Sequence, residues 1–119
     1  MILTSTARVS AERPGRYGKQ LVSHLGEKLN ASWDAEAGRG SVILRAEEGS
    51  ATCDLVAGDG VLLVHIEAPE ELIDRMEHVV GKHLHAFGRR DGLRIAFRRG
   101  NGADGMIYEP EELNDESAD

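Results

Sequence analysis

Cysteine is nearly missing from this sequence: Cys53 is the only one among 119 residues. A lone thiol closes no internal disulfide and excludes a zinc site built from several cysteines, so a metal would have to be held mainly by histidines and carboxylates. Long apolar runs are missing too. The longest, Val61 to Val64, falls far short of the roughly 20 residues a membrane-spanning helix needs. The polar N-terminus holds no apolar signal core, so a cytoplasmic protein with no membrane partner is expected. Nor is there a catalytic signature, since no nucleophile or acid pair stands in a recognisable arrangement. An enzyme, with only the histidines and Tyr17 in its favour, therefore ranks behind a non-catalytic role.

Basic charge is also scarce, and its distribution matters more than its total. The net charge is -7, yet residues 1–99 hold all 14 Lys and Arg and 14 of the 21 Asp and Glu. That body is neutral and lacks the summed basic field on which nucleic-acid binding rests, so nucleic acid is not an expected partner. The remaining acids, Asp104, Glu109, Glu111, Glu112, Asp115, Glu116 and Asp119, all lie in residues 100–119. With only Met106, Ile107, Tyr108 and Leu113 as large apolar residues, this segment is expected to be a disordered acidic tail, because burial cannot offset the entropy of ordering it. Residues 1–99 are enough for one domain with its own core.

What is present reads as a two-layer α+β domain: a six-stranded, mainly antiparallel sheet with two helices on one face, in the order β-α-β-β-β-β-α-β. Residues 4–10 alternate as a strand, and Glu12-Arg13-Pro14 opens a helix whose apolar stripe (Tyr17, Leu21, Val22, Leu25, Leu29) runs to about Leu29. Gly15, Gly18 and Gly26 weaken that helix, which must lean on packing or admit another group close to its backbone. Four strands follow at about 31–36, 41–47, 51–57 and 61–67, separated by turn signals at Gly38-Arg39-Gly40, Glu48-Gly49-Ser50 and Gly58-Asp59-Gly60. Period-two alternation sends Val42, Leu44, Cys53, Leu55, Ala57, Leu62, Val64 and Ile66 to the covered face. It leaves Ile43, Val56, Val61 and Leu63 on the other. Pro69-Glu70-Glu71 starts a second helix with acids in its first turn, Gly88 stops it, and residues 93–98 form the last strand.

Two histidines keep apolar company. On the second helix His83 lies about 20° from Leu72, inside the apolar arc, whereas His78 and His85 lie near 240° and 220°, on the side facing water. His24 sits at the rim of the first helix's stripe, beside Tyr17. His24 and His83 are thus expected to converge where the helices meet over the sheet, with Cys53 beneath. Tyr17, His24, Cys53 and His83 are the candidate ligand-binding residues, and His24, Cys53 and His83 the candidate ligands of a transition metal. A buried neutral imidazole bonded to a backbone carbonyl or to Tyr17 explains the same pattern without a ligand. Arg94 and Arg98 share a face opposite Leu93, Ile95 and Phe97; with Arg89, Arg90 and Arg99 they form a solvated face, an anion site or a dock for the acidic tail.

The segments Thr6-Ala7-Arg8-Val9, Tyr17-Gly18-Lys19-Gln20-Leu21-Val22-Ser23-His24-Leu25, Ala51-Thr52-Cys53-Asp54-Leu55 and His83-Leu84-His85-Ala86-Phe87 resemble the bacterial family catalogued as domain of unknown function 2218. The resemblance spans about residues 4–98 and puts His24, Cys53 and His83 on matching positions. Val22 stands where the family often has Cys, Ala51 where it has Gly, and Glu27 where a second His is common. The resemblance implies no activity, and an iron- or siderophore-linked role only by association. The function expected is a non-catalytic accessory protein binding a small molecule or metal; the alternative is a homodimeric interaction module joined through the face bearing Ile43, Val56, Val61 and Leu63.

Overall fold

In the computed structural model, which describes residues 1–110, alternation and helical periodicity resolve into seven strands and two helices. The elements are β1 (Ile2–Ser10), α1 (Pro14–Leu25), β2 (Asn30–Asp34), β3 (Arg39–Ala46), β4 (Gly49–Ala57), β5 (Val61–Pro69), α2 (Ile73–Phe87), a 3₁₀ turn (Arg89–Asp91), β6 (Ile95–Arg99) and β7 (Asp104–Tyr108). They build one antiparallel sheet in the order β2-β3-β4-β5-β1-β6-β7, with α1 and α2 packed against it and touching each other. Among the described residues no helix is long and apolar enough to cross a membrane.

The covered sheet face is the one the alternation selects. Val42, Cys53, Leu55, Leu62, Val64 and Ile66 are fully buried, as are Leu21, Met76, Val80 and Leu84 from the helices. Such burial of large aliphatic side chains, worth about 1.5–3 kcal/mol each, is the main force holding the layers together. On the open face Ile43, Val56, Val61 and Leu63 are each half-buried by their neighbours, and Val56 and Leu63 are direct cross-strand partners.

Several strand ends shift by one or two residues, and three differences from the periodicity are larger. Regular helix in α1 stops at Leu25, where the Gly26 N–H caps Val22 O; one looser turn follows, and the Leu29 N–H still reaches Leu25 O at 2.8 Å. Pro69 ends β5 rather than starting α2, because it pairs with Ile2 on β1. Glu70 and Glu71 therefore lie in the connecting turn, and Asp74 is the acid of the first helical turn. The seventh strand is the largest correction. Asp104–Tyr108, which composition assigned to the tail beyond residue 99, pairs antiparallel with β6 and rests on α2. The rest of that expected tail, 111–119, lies outside the described residues.

Two glycines on the helices admit rings. A Cβ on Gly18 would stand 2.6 and 2.7 Å from atoms of the Trp33 indole, which bridges from β2 onto α1, and a Cβ on Gly81 would collide with the Tyr108 ring of β7. The glycines that weaken helix propensity thus let edge strands dock closely.

Candidate functional site

The helix junction brings His24 and His83 together. Their ring centroids are 4.6 Å apart at an interplanar angle of 45°, and the Phe87 ring lies 5.7 Å from His24 and 6.2 Å from His83. Helical spacing explains the trio: His83 and Phe87 are one turn apart on α2, and His24 faces them from the last turn of α1. Neither imidazole is in the core, since His24 is exposed and His83 half-buried. The pair stands at the rim of the two-helix layer, open to solvent.

The tautomer of His83 follows from its partner. Its Nδ1 lies 2.7 Å from the carbonyl oxygen of Val79, one turn back on the same helix. A carbonyl can only accept, so Nδ1 carries the proton, and in the neutral ring Nε2 carries the lone pair. This is the arrangement by which a backbone carbonyl orients a metal-binding imidazole. Beside His24 opens a cleft of about 550 Å³ walled by Arg16, Lys19, Gln20, Ser23, Glu27 and Phe87.

Cys53 and Tyr17 do not complete the pair. Cys53 lies mid-strand in β4 between Val42 and Ile66, has no exposed surface, and its thiol is pushed well above the usual range by burial and then by the charge of Asp54. Neither metal nor solvent reaches it as thiolate. The Tyr17 hydroxyl donates to Asp91 on the 3₁₀ turn, bracing α1 against that turn. Burial, the hydrogen bond to Asp91 and the charge of Asp91 push its phenol up to about 12. Among the described residues no three His, Cys, Asp or Glu side chains are placed to hold one metal ion, so the expected three-residue set reduces to two imidazoles.

The other histidines and the arginines serve β7 and the open sheet face. His85 Nε2 donates to the Glu109 carbonyl at 2.7 Å, and His78 Nδ1 is 3.0 Å from the Tyr108 hydroxyl. Arg94 grips the Glu109 carboxylate through Nε and Nη2 at 2.9 and 3.3 Å, and Arg98 lies 3.8 Å from Asp104. Within residues 104–109 Arg94, just before β6, and Arg98, on it, dock the acidic segment. His65 reaches Thr6 at 3.0 Å and Glu67 at 3.5 Å on the open sheet face.

Glu77 went unread in the sequence. It is fully buried on α2, accepts from Ser5 Oγ at 2.6 Å, from Arg99 Nε at 2.7 Å and Nη2 at 3.0 Å, and from the Met106 N–H at 3.1 Å. Burial alone would raise its carboxyl, but the bonds from Arg99, Ser5 and Met106 outweigh that and hold it below the usual range. A signal existed: at about 140° from Leu72, Glu77 falls beside Ile73 and Leu84 on the apolar side of the helix. With every oxygen occupied by a donor, Glu77 ties β1, β6 and β7 to α2 and offers nothing to a ligand.

Comparison with known proteins agrees with this architecture. A solved relative, the NMR structure of PA4090 from Pseudomonas aeruginosa, superposes with a TM-score of 0.58 at 27% identity, covering 81% of this chain and 95% of its own. No curated protein matches. The family model described as an uncharacterized protein conserved in bacteria, domain of unknown function 2218, matches residues 6–98, a span that contains α1, α2 and both imidazoles of the pair, and the chain belongs to that family.

Proposed function

We propose that this protein is a non-catalytic accessory that binds a transition-metal ion through His24 and His83 and leaves the remaining coordination positions to an exogenous ligand. The observation that carries this reading is the pairing of a ring-to-ring distance of 4.6 Å with the Nδ1 bond of His83 to Val79 O. Nitrogens sharing one zinc ion each lie about 2.0–2.1 Å from it, so two such rings must nearly touch. Imidazole suits Zn, Cu, Ni and Fe, and two protein ligands instead of four favour an exchangeable ion over a structural one. The non-catalytic part rests on the sealed Cys53 thiol and on a Tyr17 hydroxyl already engaged by Asp91.

The test is the melting temperature of metal-free protein titrated with Fe, Zn and Cu salts. A ligand that binds only the folded state stabilises it by RT ln(1 + [L]/Kd), so a concentration-dependent rise is expected for the native chain and not for His24→Ala or His83→Ala. No rise, or one that survives both substitutions, overturns the reading. The competing reading is a homodimer through the open sheet face, favoured by the Val56–Leu63 pair. A monomeric mass at high micromolar concentration removes it.

A further inference from the structure

A second cleft, of about 510 Å³, adjoins the one beside His24 and shares Arg16, Gln20 and Phe87 with it. Its volume falls within the range of small-molecule sites. Arg16 enters from α1, Arg89 and Arg90 from the 3₁₀ turn, and Tyr17 and Phe87 supply ring surface. The carboxylate in the lining is Asp91, which accepts the Tyr17 hydroxyl. The arginines on and just before β6 differ from these. Arg94, Arg98 and Arg99 each have an acidic partner, whereas Arg16 and Arg90 form no salt bridge among the described residues. Two guanidinium groups lining one cleft with a half-buried phenyl ring, on a scaffold fixed by the Tyr17–Asp91 brace, are complementary to a flat molecule with an anionic end.

We propose that this cleft binds a small planar organic acid, its carboxylate held by Arg16 and Arg90 and its flat body lying against Phe87. The acid is the exogenous ligand that the two-imidazole reading requires, and in that respect the proposal rests on that reading. Because the two clefts share Arg16, Gln20 and Phe87 as walls, a molecule anchored at the arginines lies on the side of Phe87 next to the His24 cleft.

The experiment titrates the full chain with benzoate, acetate and inorganic phosphate, following the Phe87 ring and the Arg16 and Arg90 side-chain Nε–H resonances by NMR. Benzoate should move all three sets, with acetate binding more weakly because it lacks the planar body. The Arg16→Gln/Arg90→Gln double variant should bind benzoate about tenfold more weakly or worse, the loss of a charge-assisted hydrogen bond. Its melting temperature should not change, because both arginines are exposed. No movement at these groups, or equal affinity in the double variant, overturns the proposal. Phosphate binding as tightly as benzoate overturns its planar-acid part. His24→Ala separates the two readings: it should keep benzoate and lose the metal response. A metal response without benzoate binding sinks the cleft alone, whereas benzoate binding without a metal response sinks the imidazole pair.

Discussion

The Glu77 carboxylate on α2 receives two hydrogen bonds from the Arg99 guanidinium on β6, at 2.7 and 3.0 Å, with Glu77 fully buried and the Arg99 side chain 20% exposed. A bidentate ion pair of this kind is costly to break from one side, since the partner is left uncompensated. Glu77→Gln should therefore destabilise the protein by about 2–4 kcal/mol in urea unfolding. Asp74→Asn offers the control. Asp74 also bonds Arg99, at 2.5 Å, but its side chain is 75% exposed, and its loss should cost no more than about 1 kcal/mol. Equal effects would contradict the assignment of Glu77 as the anchor of β7.

The same carboxylate sets a pH dependence. Its folded value lies below the ordinary one because Arg99, Ser5 and Met106 overcome the effect of burial, so the stabilisation is fully present above the unfolded value of about 4.3. It is lost as pH falls through the lower, folded value. The stability gap between native protein and Glu77→Gln should stay constant from neutral pH to about 5 and close in more acidic solution. A gap that closed near neutral pH would point to a histidine instead.

Gly18 and Gly15 form a matched pair on α1. Gly18→Ala gains up to about 1 kcal/mol of helix propensity but drives a methyl to within 2.6 Å of the Trp33 ring, so a net loss on the order of 1 kcal/mol is expected. At Gly15 a Cβ meets only ordinary contacts, the nearest at 3.8 Å, and Gly15→Ala should be neutral or stabilising. Thermal melts of the two variants decide whether Trp33 is seated on α1 as described.

The sheet-and-helix layout was legible in the sequence because it rests on periodicity. Val42, Leu55 and Val64 are buried where alternation places them, and Arg94 and Arg98 are exposed. The convergence of His24 and His83 was also legible, through their angular positions on two stripes. What was not legible depends on contacts distant in sequence. β7 reads as tail by composition, yet Met106 and Tyr108 alternate at period two, and their strand is held by Glu77, Gly81 and Arg94, which lie 15 or more residues away. Alternation placed Cys53 on the covered face beneath the histidines, and it is buried there, but the strands on both sides seal it away from the pair. Tyr17 lost its role as a ligand donor to Asp91, which lies 74 residues along the chain.

The most direct test of the two-imidazole site is a zinc titration followed on the histidine ring nitrogens by long-range ¹H–¹⁵N NMR. The proposed site predicts that His83 Nε2 and one nitrogen of His24 move together and saturate at one equivalent, while His83 Nδ1 keeps its proton on the Val79 carbonyl. Unchanged His24 and His83 resonances, or shifts spread equally over His65, His78 and His85, would contradict it.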